Sequence, residues 1–272
     1  MINKMKIKYI LLILTIFQFG CDNNAPIYNP PEIIKFFPLK VGNYWVYEFN
    51  LIDEGLKTVP GSESIDSFVV VTKQTFIDKT AFIILRYNNN KLIDTFYLSK
   101  DKNQLFRLNN GLTDSIQSLG LAWFKIGDMD LNSWNIFADI AIDSNFVFEN
   151  KKVIVNKHIT INGTKLGFEK MQFHKDSITV LPFVIKEDRK TYFDYYLYND
   201  TTKTNIEIIN LKNERMWLNN NIGIYLWQLD PSSEIVRDSS NRNNPLRKIT
   251  FNGWKRQLIR YRACLLYTSP SP

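Results

Sequence analysis

Two cysteines and two histidines are all that this chain of 272 residues carries. A zinc centre or a nucleophile-base pair needs converging ligands, and no His-x-x-x-His, Cys-x-x-Cys or Gly-x-Ser-x-Gly occurs. His158 alternates with Asn156 and Thr160, as on a solvated strand face, and His174 lies far off in a second strand-like segment. Neither histidine reads as catalytic. Apolar runs are also short: Tyr9 to Phe19, "YILLILTIFQF", falls below the roughly 20 residues that span a bilayer. The formal charge is +7, and Lys4, Lys6 and Lys8 supply three of those charges in a leader without acids, so +4 remains once it is removed. That surplus is too mild to imply a nucleic-acid partner. No fixed-period repeat points to a solenoid or propeller, and no motif requires a cofactor.

What is present begins with the leader. Three lysines, an apolar core, then Gly20, Cys21 and polar "DNN" follow the order of a bacterial secretory signal, but Gly20 is the only small residue before the cysteine. The stretch "IFQFGCDNN" resembles the lipobox of bacterial lipoproteins, with Gln18 and Phe19 looser than its usual residues. The resemblance implies a signal peptide over 1–20, lipid on Cys21, and a cell-envelope protein whose first partner is the inner or outer membrane. Two or three acyl chains hold a domain on a membrane where one anchors only marginally. Residues 21–35, with Pro26, Pro30 and Pro31, read as a polar tether. The far end, "CLLYTSPSP", has no charge and resembles translated sequencing-adapter read-through, so 263–272 read as a non-native tail. Cys21 is then the only authentic cysteine, and no disulfide framework exists.

Residues 36–262 carry strand signals throughout. Trp45, Tyr47, Phe49 and Leu51 alternate with Tyr44, Val46, Glu48 and Asn50, the period-two pattern of a half-buried strand. Ser67 to Ile77, Thr80 to Tyr87 and Lys91 to Ser99 are rich in β-branched and aromatic residues and are split by turn-like "DK" and "NNN". Further runs of this kind continue to "RQLIRY". "PPEIIKFF" is the best helical turn, and Ser115 to Gly127 fits no element. The expected fold class is all-β: an antiparallel meander forming a strongly curved sheet, a sandwich or a barrel-like domain. The segments "FPLKVGNYWVYEF" and "NNNIGIYLWQLDP" resemble uncharacterised Bacteroidota-type envelope lipoproteins. The first match rests on Pro38, Leu39, Gly42, Asn43, Trp45 and Tyr47, and the second on Ile222, Gly223 and Ile224, with Asn221 in place of a frequent glycine. It implies β architecture and an envelope location, not a reaction.

Four sets of residues are candidates for chemistry. Asp128, Asp130 and Asn132 have the alternate oxygen spacing of a calcium loop, with Asp139 at its twelfth position, but Ser133 replaces the turn glycine. An acidic turn ahead of a strand starting at Trp134 is the simpler reading. Trp123 and Trp134 are candidates for sugar stacking if exposed together, although burial in a β core explains most of the tryptophans. Asp114 to Ile116 and Asp176 to Ile178 resemble the O-glycosylation triplets of Bacteroidota envelope proteins. Scattered carboxylates, finally, hydrolyse glycosides if two converge. Two functional expectations follow: a non-catalytic envelope lipoprotein binding a ligand or partner, or a glycan-directed carboxylate hydrolase. Acids meeting in a polar cleft favour the second, and a cavity without them the first.

Overall fold

The period-two alternation of the first strand signal becomes β1 (Tyr44–Ile52), whose Trp45 and Tyr47 side chains are buried. From it the chain folds back on itself through β2 (Ser64–Phe76), β3 (Lys79–Asn88), β4 (Lys91–Asp101), β5 (Gln104–Leu108) and β6 (Trp123–Asp128). Each strand pairs antiparallel with the one before, so this half is a meander. Two of its turns are two-residue turns with positive φ at both positions, Ile77-Asp78 and Asn89-Asn90. Such turns match the right-handed strand twist, and Asn tolerates them readily. The β-branched Ile77 does so only at a steric cost, and the first turn falls one residue earlier than "DK" predicts. In this computed structural model the described residues are 37–108, 121–137, 142–148, 151–196, 203–220, 222–238 and 245–262, all within a compact unit running from Pro31 to Pro272. Cys21, Cys264, Asp139, the triplet Asp114 to Ile116 and "PPEIIK" lie outside them.

The second half departs from a meander. Its strands are β7 (Ser133–Phe137), β8 (Ile142–Phe148), β9 (Lys151–Lys165), β10 (Glu169–Phe173), β11 (Asp176–Tyr196), β12 (Lys203–Asn219), β13 (Gly223–Leu229), β14 (Ser232–Asp238), β15 (Pro245–Phe251) and β16 (Gly253–Arg262). The main path of the sheet runs β6-β5-β4-β3-β2-β1-β16-β13-β12-β11-β9-β7. Its two end strands, β6 and β7, are consecutive in the chain, and the Trp134 indole of β7 donates to the Lys125 carbonyl of β6 at 2.8 Å. The fold is therefore all-β and antiparallel, a nearly closed barrel, with no α-helix among the described residues. β6 lies in the stretch that fits no element by sequence, where buried Phe124 and Ile126 alternate with Lys125.

Three strands outrun the barrel. β11 pairs with β12 along nearly its whole length, while β12 meets β13 only from Glu214 onward and β14 only from Ile206 to Asn210. The far halves of β9, β11 and β12, with β8 on one side and β14 and β15 on the other, thus form an arm that leaves the barrel. Its outer hairpin reaches back to the β1–β2 loop, where Glu54 accepts from Lys248 (3.1 Å) and Thr250 (2.9 Å).

The residues of the two quoted signatures meet at one end of the barrel. Trp45 Nε1 donates to the Ile222 carbonyl at 2.5 Å, and Tyr47 Oη donates to the Ile224 carbonyl at 2.8 Å. Gly223 stands between those carbonyls at φ 97°, a conformation that L side chains rarely adopt, with the Trp45 indole against it. Burial pushes the Tyr47 phenol well above its ordinary range, so the group stays protonated and remains a donor. Asn43 is buried and bonds back to the Pro38 carbonyl, while the Gly42 amide donates to Val70 at 2.8 Å. Phe37 stacks on Trp45 with centroids 6.0 Å apart. Every residue of the first signature thus has structural work, at about 2 kcal/mol for each large apolar side chain fully buried.

Candidate functional site

The barrel interior changes character along its axis. On β3 the inward residues pass from Ile84 to Arg86, on β5 from Leu105 to Arg107, and on β12 from Met216 through Glu214 to Lys212. β4 runs from Leu98 through Phe96 to Asp94, and β11 from Ile185 to Glu187. At the apolar end a space of about 40 Å³ remains between Trp45, Tyr47, Phe68 and their neighbours. Towards the charged end lies a larger cavity of about 260 Å³, walled by Phe96, Trp227 and Trp254 and by the charged groups just named. Phe96, Arg107 and Trp227 line both, so the two spaces adjoin. The charged end is the one from which the arm departs, since Glu187 pairs with Lys212 just before β12 changes partners.

Ion pairs hold this interior together. Asp66 of β2 is 0% exposed and takes Arg86 at 3.0 Å and Arg256 at 2.6 Å on one oxygen, with Asn88 at 2.8 Å on the other. Arg256 is 4% exposed, and its guanidinium lies 3.9 Å from the Trp254 ring centroid and 5.0 Å from that of Trp227. Burial, with Arg86 close by, pushes its pKa down to about 10 against the pull of Asp66, which leaves it charged at neutral pH. Glu214 receives the Arg107 fork at 3.3 and 3.4 Å and the Trp227 indole at 2.7 Å. Glu187 pairs with Arg189 at 2.8 Å. The Nε of Arg107, a residue 8% exposed, is buried without a hydrogen-bond partner.

The residues singled out from sequence fare differently. Asp128 is 1% exposed: its Oδ1 accepts the amides of Asp130 (3.0 Å) and Leu131 (3.2 Å), and its Oδ2 accepts Lys125 Nζ (2.7 Å) and Gln104 (3.1 Å). Asp130 is taken by Asn103 at 2.9 Å, and the Asn132 carbonyl accepts the Lys165 amide at 2.8 Å. This turn staples β6 to β7, and a lysine ammonium stands where a calcium ion would. Among the described residues no group of three His, Cys, Asp or Glu is placed to hold a metal. Millimolar calcium should leave the melting temperature of the wild type and of Asp128→Asn with Asp130→Asn unchanged. A calcium-dependent rise lost in the double variant would overturn that expectation.

Asp128 also carries a pH dependence. Burial raises its pKa, but the bonds from Lys125, Asp130 and Leu131 outweigh it and hold the group below its ordinary 3.8. Its contribution is present above that value and is lost as the pH falls through the lower native one. Stability measured in urea between pH 6 and about pH 3 should therefore fall less in Asp128→Asn than in the wild type.

Trp134 is buried against Phe183, and Trp123 donates to the carbonyls of Phe76 and Ile77, so the two form no exposed stacking platform. His158 lies beside Tyr192, centroids 5.5 Å apart, on β9, whereas His174 occupies the β10–β11 turn at φ 52° rather than a strand. Asp176 to Ile178 opens β11 and is paired to β10. No motif in the sequence marks Arg86, Arg107, Arg256, Glu187 or Glu214. The signal is there as charged residues on the inward register of otherwise apolar strands, as in Phe183, Ile185, Glu187.

Fold and cavity define a class, that of nearly closed antiparallel β-barrels with an aromatic and charged interior. No family model and no curated protein matches the chain. Among solved structures it is similar to a Parabacteroides distasonis protein provisionally described as a lipoprotein, at 11% identity over 84% of this chain and 98% of that one, TM-score 0.38. It is also similar to a Bacteroides fragilis protein provisionally described as exported, with a YmcC-like fold, at 10% identity over the same shares and TM-score 0.33.

Proposed function

We propose that this chain is a lipid-anchored protein of the bacterial cell envelope whose barrel binds a small ligand in the interior cavity without catalysis. The observation that carries the binding reading is the 260 Å³ cavity between Trp227, Trp254 and the arginine-carboxylate pairs. Charged groups placed in a barrel interior lose solvation, and an apolar filling would be cheaper unless the site has a use. The leader and Cys21 support the anchor. Cys21→Ser should abolish palmitate labelling and leave precursor or unanchored protein in the cell, and labelling that survives would sink the anchor. For the cavity, native mass spectrometry of the full-length protein taken gently from envelopes should show a retained small molecule. It should be lost in Leu229→Trp, which fills the cavity; a wild type that carries nothing would count against a resident ligand.

Three acids, Asp94, Glu187 and Glu214, do converge on this cavity, and that observation favours the hydrolase reading. Both oxygens of Glu214 are engaged by Arg107 and one also by Trp227, and Glu187 is held by Arg189. A glycosidase needs one carboxyl free to give up a proton and another free to act on the sugar or on water. The binding reading therefore stands first. Release of reducing ends from envelope glycans, lost in Glu187→Gln or Glu214→Gln, would reverse that order.

A further inference from the structure

The interior pairs do not balance. Asp66 serves two guanidiniums, Arg86 and Arg256, while Glu214 and Glu187 serve one each, Arg107 and Arg189. Arg189 does not line the cavity; of the described residues that do, Arg86, Arg107, Arg256 and Lys212 stand with Glu187, Glu214 and Asp94, while Asp66 lies behind two of the arginines. Asp66 has no oxygen to spare, since Arg86, Arg256 and Asn88 engage both. Arg107 is poorly satisfied: its fork to Glu214 is long, at 3.3 and 3.4 Å, and its buried Nε, like that of Arg189 away from the cavity, has no hydrogen-bond partner among the described residues. An unpaired buried donor on a charged group is costly and is ordinarily met by a ligand or an ordered water. Arg107 also sits at the junction of the two spaces, between Phe96 and Trp227.

Resting on the ligand-binding reading above, we infer that the cavity takes a small organic anion, a carboxylate or phosphate monoester, whose oxygens meet Arg107 and whose flat or ring-shaped body lies against Phe96 and Trp227. A guanidinium matches the planar geometry of such an oxyanion. The aromatic walls supply faces for the body. At about 260 Å³ the cavity is smaller than the roughly 300–1,000 Å³ of drug-sized sites, which excludes a lipid chain or an oligosaccharide held whole.

The test uses the full-length protein in detergent and four probes: phenyl phosphate, benzoate, benzyl alcohol and inorganic phosphate. Binding is followed by calorimetry and by tryptophan fluorescence, to which Trp227 and Trp254 at the cavity wall should respond. The anionic rings should bind at least about tenfold more tightly than benzyl alcohol, which lacks the charge, and than inorganic phosphate, which lacks the body. Arg107→Gln should erase the preference over benzyl alcohol. Because that variant strands Glu214, Arg107→Lys serves beside it: it keeps the charge and the fold, checked by melting, yet should lose most of the preference for want of a planar fork. Benzyl alcohol binding as well as phenyl phosphate would overturn the anion and leave interior binding standing. Inorganic phosphate binding as tightly as phenyl phosphate would overturn the ring-bearing body. A preference untouched in both Arg107 variants would overturn the role of Arg107. If no probe binds, the inference falls, and the ligand-binding reading falls with it only if native mass spectrometry also finds nothing retained.

Discussion

Asp66→Ala should cost about 3–5 kcal/mol of stability, the usual penalty for breaking a buried ion pair by removing one partner. Asp66 is fully buried, and it is the one carboxylate that Arg86 and Arg256 share. Without it, two guanidiniums on arginine side chains 18% and 5% exposed face each other in the barrel with no anion between them. Their mutual repulsion and lost hydrogen bonds both weigh on the native state. For a domain of this size the melting temperature should fall by on the order of 10 °C. The triple change Asp66→Ala, Arg86→Met and Arg256→Met should recover most of that loss, because an apolar core of similar volume is often no less stable than a buried triad. Urea denaturation of the variants settles it, and a loss below about 1 kcal/mol for Asp66→Ala would show that water reaches the triad. The triple variant should fold, with Arg107 left as the one guanidinium of the three that line the cavity.

Gly163→Ala should cost about 2–3 kcal/mol through overpacking, a large effect for one methyl group. Gly163 lies on β9 where Trp134 of β7 crosses it, and a Cβ there would stand 2.1 to 2.4 Å from three atoms of the indole. Trp134 cannot give way cheaply. Phe183 holds it edge-on with centroids 5.8 Å apart, and its N–H makes the bond to Lys125 that ties β7 to β6. The clash therefore falls on the seam that closes the barrel. In a Trp134→Leu background the same Gly163→Ala change should cost under about 1 kcal/mol, so a double-mutant cycle reads the coupling directly. Additive losses would mean that the glycine and the indole are not in contact. Amide exchange should also quicken in β6 and β7 of Gly163→Ala before it does in β2 and β3.

Much of the architecture is legible in single strands. Trp45, Tyr47 and Phe49 alternate because a strand with one buried face must, and Asn89-Asn90 marks its meander turn by residues that tolerate positive φ, whereas Ile77 does not mark its own. β6 is not legible in the sequence because its alternation spans only six residues, Trp123 to Asp128, beside a stretch of mixed character. Between β6 and β7, Asp128 accepts the amides of Asp130 and Leu131, local hydrogen bonds that an aspartate at the head of a turn makes without help from distant residues. The charged interior lay in plain view as Ile84 to Arg86 and Phe183 to Glu187, but an inward charge on one strand is indistinguishable from an outward one until its face is known.

By itself, the sequence determined the class of structure and the candidate anchor. Strand periodicity is local, and so are a leader and a cysteine, so neither needs the fold to be read. Tertiary structure alone decided that β6 and β7 close a barrel, that β12 changes partners halfway, and that Trp45 reaches the carbonyl of a residue 177 positions away. It alone joined Asp66 to Arg256 across 190 positions and Arg107 to Glu214 across 107. Charges find partners by distance in space, and the distance along a chain whose described residues form 16 strands carries almost no record of it.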